Sequence, residues 1–382
     1  MISRCRTSAL LALSLALLFV PPAGAGKPDG NGGGGGKPRS SPNPDIVYMS
    51  VGSTSLAGPA IRGVTLATDL AASSDASLFK ASSQRDTASI AWSPDGTRFA
   101  WIENGAIMSA APGSKAIRLY PTVPGDPVVR EGALAWGPDC SGAGDSVIAF
   151  LSDAPFSVRT LTIKDGLVTS GRELLELKMH CYYDKDVLVC TMASALAFAF
   201  SPQGQLLAFH GHDDNLSPGI WAASMCSNDS PALVLDDSNV GSTRRIQPVL
   251  SIDWSPNGKQ LAMSVIVGPD PDYPWRDIKI AYLDYSYDGV HETASFKSLM
   301  TIDLDGVFGA ASSEHTPRWG PGTGGDCQRI AFSQSAGASD GSDMNGRRLF
   351  LLDVSSDGKP VSCPLGSPFE LNARNPRALD WK

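Results

Sequence analysis

Charge is scarce in this sequence. Only 18% of its 382 residues are Asp, Glu, Lys or Arg, and no Lys/Arg-rich run occurs anywhere. With 31 basic against 39 acidic residues and a net charge of −8, it lacks the cationic surface that neutralises phosphates, which excludes nucleic acid as a partner. The compact signatures of common chemistries are missing too. There is no G-x-S-x-G nucleophile elbow, no C-x-x-C spacing for zinc and no phosphate loop. There is also no H-E-x-x-H, because His291-Glu292 runs on into Thr293. Histidine is limited to five positions. Beyond the N-terminal region no apolar run approaches the length needed to cross a bilayer, so no transmembrane segment is expected in the mature chain.

Glycine and proline are plentiful instead, at 39 and 28 residues, and as the two poorest helix formers they disfavour a helical bundle. Arg4 and Arg6 precede a small, apolar run from Ala9 to Val20, then Pro21, Pro22 and Ala23-Gly24-Ala25. That order is the pattern of a secretory signal peptide over residues 1–25. Removing the two leader charges takes the net charge from −8 to −10. Residues 26–44, with glycine at every position from Gly32 to Gly36, cannot bury enough surface to offset their ordering entropy and read as a flexible tether. The chain is therefore expected to be exported, to the periplasm or beyond, with its folded part at 45–382.

A short unit recurs through that part. Trp92-Ser93-Pro94-Asp95-Gly96 is followed by Trp136-Gly137-Pro138-Asp139, Phe200-Ser201-Pro202-Gln203-Gly204, Trp254-Ser255-Pro256-Asn257-Gly258 and Trp319-Gly320-Pro321, and Trp381 closes the series. Each aromatic ends an apolar strand. Proline then presets φ, Asp or Asn bonds its own backbone, and Gly accepts positive φ, which makes a tight turn. An apolar-Ala-apolar second strand follows each turn, as in Phe99-Ala100-Trp101 and Leu207-Ala208-Phe209, and then a third. Every unit is thus an antiparallel meander. Asp45–Ser50 reads as a second strand without its first and Ala378–Trp381 as a first strand without its second, so pairing them closes a ring. The expectation is an all-β, six-bladed β-propeller, monomeric, with Trp92, Trp136, Phe200, Trp254, Trp319 and Trp381 as blade anchors packed between blades.

The W-S-P-D-G turn with its apolar-Ala-aromatic strand resembles the PD40, WD40-like repeats of TolB-type β-propellers, over essentially all of 45–382. TolB itself carries an α/β domain ahead of its propeller where this chain has the tether, so the resemblance implies a stand-alone propeller. It also implies, by analogy with the family's envelope partnerships, another envelope or extracellular protein as partner.

Six cysteines follow the leader, and an even number in an exported chain favours disulfides. Cys181 with Cys190 is the first expected pair, Cys327 with Cys363 the second, and Cys140 with Cys226 follows by elimination, with other connectivities open. Three long loops between second and third strands, at 210–219, 267–277 and 335–346, collect acids on the face that also carries His210 and His315. His210, His212, His315, Asp213 and Asp214 are the candidate ligands for a divalent cation there. Two functions follow. The first is a non-enzymatic binding or scaffold propeller with no cofactor. The second, suggested by the resemblance to propellers among the oligogalacturonate lyases, is a metal-dependent, polysaccharide-lyase-like enzyme using that patch.

Overall fold

The computed structural model describes residues 44–382 apart from 51–59, 81–88, 122, 141–143, 154–155, 177–179, 185–186, 192–196, 212–218, 228, 241–248, 268–275, 290, 309–311, 322–325, 336–345, 358–362 and 374–375. Strands dominate these residues, and the helical pieces are single turns at Leu70–Ala72, Asp237–Val240 and Asp305–Phe308. Among the described residues no helix is long and apolar enough to cross a membrane.

The strands fall into four-stranded antiparallel blades, each with the strand that carries an anchor aromatic innermost and, apart from the closing blade, built outward from it in chain order. The first blade opens with Ile90–Trp92, the second with Val129–Pro138, the third with Phe198–Phe200, the fourth with Val249–Trp254 and the fifth with Ser313–Trp319. The closing blade draws its inner strand from Pro376–Trp381 and its other three from Ile46–Ser50, Ala60–Thr65 and Ser74–Lys80. Ile46 lies opposite Trp381 and Tyr48 opposite Leu379, so the two ends of the folded chain share one sheet. Each inner strand touches the inner strand of the next blade, from closing to first, around to fifth and back to closing. A cycle of that kind removes free edges from the centre of the molecule. Among the described residues one parallel pair, Arg276 with Ser313, joins the fourth blade to the fifth. A two-stranded hairpin, His180–Asp184 with Val187–Thr191, lies between the second and third blades in sequence.

The apolar core is distributed between blades. Six buried clusters each draw on two neighbours; one joins Ile107 and Tyr120 of the first blade to Ile148 and Phe150 of the second, and another joins Ile220 of the third to Met263 of the fourth. Each anchor packs back onto the preceding blade: Trp92 with Val47 and Ile61, Trp254 with Ala208, Trp319 with Ile280. The five anchor tryptophans are at most 9% exposed, and Phe200 is partly buried.

The turn after each anchor is assembled as its residue types dictate. In the first blade Ser93 N donates to Arg98 O at 2.8 Å, Arg98 N donates to Ser93 Oγ at 3.0 Å, and Thr97 N donates to Asp95 Oδ1 at 3.0 Å, while Gly96 takes φ 63°. Asn257 plays the part of Asp95 in the fourth blade, accepting from Lys259 N at 2.9 Å. The Gly that replaces Ser in two units has a packing cause. A Cβ on Gly137 would lie 2.2 Å from the Phe200 ring, and one on Gly320 2.6 Å from Trp381.

Candidate functional site

The repeat that builds the ring also builds its mouth. The anchor turns converge at one end of the axis around a cavity of about 530 Å³, whose rim carries Pro94, Pro138, Pro202, Pro256 and Pro321, with Lys382 beside Trp92. Ring-constrained φ makes this rim stiff. Lys382 Nζ lies 4.5 Å from the centroid of the Trp92 indole and donates to Gly96 O at 3.3 Å; burial lowers its pKa against the opposing pull of Asp45.

The residue just before each anchor lines the cavity wall, and its identity divides the ring. Ala91, Ala135 and Ala199 stand in three consecutive blades, Asp253, Arg318 and Asp380 in the other three. One half of the mouth is therefore smooth and apolar and the other carries two carboxylates around a guanidinium. The charged half is wired to the backbone. Trp319 N donates to Asp253 Oδ2 at 2.6 Å and Trp92 N to Asp380 Oδ2 at 2.6 Å. Arg318 donates through Nη1 to Ile252 O at 2.8 Å and through Nε to Leu379 O at 3.0 Å, with Asp380 Oδ1 at 3.5 Å. Burial pushes Asp253 up to about 7, opposed by Arg318 and reinforced by the charge of Asp380; burial raises Asp380 as well. The anchor aromatics stand out in the repeat, while the residue in front of them varies and does not mark itself as part of the unit. The signal was present, since aligning the repeats on their aromatics sets Ala, Ala, Ala, Asp, Arg, Asp in one column.

Of the expected cation ligands, His210 and His315 are the two among the described residues. His212, Asp213 and Asp214 lie outside the described residues, as do most of the acidic loops at 267–277 and 335–346. Buried His210 shares its Nε2 with both oxygens of Asp237, 3.1 Å from each. His315, also buried, sits among arginines: burial first, then Arg347, Arg276 and Arg377, hold its pKa well below the usual value. A site at positive potential repels a divalent cation. Among the described residues no three of His, Cys, Asp and Glu group to hold a metal ion.

His315 does form a serine pair, Nε2 to Ser335 Oγ at 3.0 Å, but with the wrong tautomer for catalysis. Arg276 Nη1 contacts His315 Nδ1, and a guanidinium only donates. The proton therefore rests on Nε2, which gives it to Ser335 and cannot take one from it, the reverse of a nucleophile-activating dyad.

Of the cysteine pairs, Cys327–Cys363 is a disulfide within the fifth blade. Cys181 and Cys190 are direct cross-strand partners in register. Cys140 and Cys226 are neighbouring free thiols at the boundary of the second and third blades.

The strand cycle and axial mouth define a β-propeller, and its fold is TolB-like. TolB from Acinetobacter baumannii superposes with a TM-score of 0.50 at 14% identity, covering 88% of this chain and 66% of its own. This chain thus spans just under two thirds of that protein's length. A putative TolB from Agrobacterium tumefaciens is matched at 13% identity and TM-score 0.45, over 78% of this chain and 83% of its own. The periplasmic gluconolactonase of Pseudomonas aeruginosa is matched at 12% identity and 0.48, over 87% and 97%. No family model matches the sequence, and no curated protein matches it.

Proposed function

We propose that this chain is an exported, non-enzymatic binding propeller of the cell envelope, which receives a segment of a partner protein in the mouth formed by its anchor turns. In this reading residues 1–25 are the export signal, 26–44 a tether and 45–382 a propeller of PD40-type repeats. The observation that carries the reading is the mouth: a cavity of about 530 Å³ with a proline rim, an alanine wall and an Asp253, Arg318, Asp380 wall. A pocket of this size takes a few side chains. The apolar half offers contact area, and the charged half offers orientation to a segment that brings opposite charges and backbone amides. The TolB-like fold supports an envelope setting by analogy.

The test is capture by the mature chain from envelope extract with chemical cross-linking, alongside the Asp253→Asn, Asp380→Asn double variant. Either Asn keeps an acceptor for its tryptophan N–H while removing charge from the mouth. The reading expects a saturable protein partner, cross-linked to rim residues, whose recovery falls at least tenfold in the variant while the circular dichroism stays native. Equal recovery by a natively folded variant, or no saturable protein partner, refutes it.

A further inference from the structure

The boundary between the second and third blades brings two thiols together away from the mouth. Cys140 follows the rim turn Trp136–Asp139 and packs on the apolar cluster that includes Ala223 and Met225. Cys226 follows Met225, whose backbone is held on both sides: Met225 N donates to Gln205 O at 2.7 Å, and Arg172 Nη2, from the second blade, donates to Met225 O at 2.7 Å. The turns beneath are in van der Waals contact, since a Cβ on Gly204 would come 2.2 Å from Pro138 O. Backbone on either side of the boundary is thus fixed, and Cys140, packed on the cluster that holds Met225, stands next to the thiol of Cys226.

We propose that Cys140 and Cys226 are a modification site: a disulfide that ties the second blade to the third, of which the structure holds the dithiol form. The oxidant is a small or protein disulfide, for which oxidised glutathione is the probe. The Cys140 thiolate attacks one glutathione sulfur; its S–S bond breaks and the first glutathione leaves as thiolate. The Cys226 thiolate then attacks Cys140 Sγ, displacing the second glutathione. Two thiols have been oxidised, one disulfide reduced to two glutathione thiols, and both protein protons have passed to them. Although Cys226 is exposed, loss of solvation at the blade boundary, then the neighbouring thiol and the charges of Asp139 and Glu292, push it up to about 12, so closure, which needs the Cys226 thiolate, speeds as pH rises.

The experiment treats the folded mature chain with oxidised glutathione and maps its peptides without reduction. The expected product is a linked peptide pair carrying Cys140 and Cys226, two hydrogens lighter than the dithiol and reopened by dithiothreitol. A transient glutathione adduct on Cys140 collapses to that link faster at alkaline pH. In Cys226→Ser the adduct on Cys140 persists. The proposal is overturned if both thiols stay titratable after treatment of the native protein, if glutathione remains on them with no link, or if either sulfur appears linked to a different cysteine.

Discussion

At the scale of single residues, the repeat varies where a neighbour forces it to. Ser at the position after the anchor closes the turn through its hydroxyl, as Ser93 and Ser255 do, and Gly137 gives up that hydrogen bond because the Phe200 ring occupies the space of a side chain. The ring comes from the next blade, so the substitution is read across the blade boundary. Gly137→Ala should therefore destabilise by about 1–3 kcal/mol, the usual cost of overpacking a filled interior. Urea denaturation measures it. Stability equal to wild type would mean that Phe200 moves freely and is no anchor. Phe200→Ala in the same background should remove the clash, so that the two changes together cost less than their sum.

At the scale of the element, the third blade repairs a defective turn with a borrowed group. Its motif reads Ser201-Pro202-Gln203-Gly204, and Gln203 does not supply the short carboxylate or amide that Asp95 and Asn257 use. Glu292, from the outermost strand of the fourth blade, takes that place: Gln205 N donates to its Oε2 at 2.9 Å, Gln203 N to its Oε1 at 3.1 Å, and Ser201 Oγ and Tyr285 Oη contact it as well. Its own N–H donates to Gln205 Oε1 at 2.9 Å. Glu292→Gln replaces an acceptor by a donor in a buried cluster and should cost about 2 kcal/mol. Adding Gln203→Asp rebuilds the turn from within and should recover most of the loss; a double variant no more stable than Glu292→Gln would refute the substitution of roles. The same comparison marks what the sequence discloses. The propeller and its anchors were legible because Trp, Pro and Gly act on their own turn, within five residues. The Glu292 repair spans 91 residues to Ser201, and the fate of His210 and His315 is set by Asp237 and Arg276, which fold against them from other segments. Local pattern put those histidines on one face; only tertiary neighbours could assign them a proton and a partner.

At the scale of the whole molecule, the charged half of the mouth doubles as a stitch along part of the ring. Asp380 of the closing blade holds Trp92 N of the first, Asp253 of the fourth holds Trp319 N of the fifth, and Arg318 of the fifth reaches carbonyls of the fourth and closing blades. The second and third blades have only Ala135 and Ala199 at this level. The stitch has a pH dependence whose sign follows from its desolvation. Asp253 titrates near its ordinary 3.8 when unfolded and at about 7 when folded, so between those values the folded state binds the extra proton. Its contribution is full below the unfolded value and is lost as pH rises through about 7. Asp253→Asn imitates the protonated acid, keeping the acceptor for Trp319 N. It should match wild type near about pH 4 and melt higher than wild type near about pH 8, where the native carboxylate is ionised in a poorly hydrated site. Arg318→Gln should act the other way, because the positive charge that restrains both carboxylates is gone: Asp253 and Asp380 rise further and the loss of stability toward high pH steepens. Thermal melts of the three proteins across that range decide the matter. An Asp253→Asn variant less stable than wild type at about pH 8 would show that the attraction of Arg318 outweighs burial, and that the charged arc, not its neutralisation, holds this side of the ring.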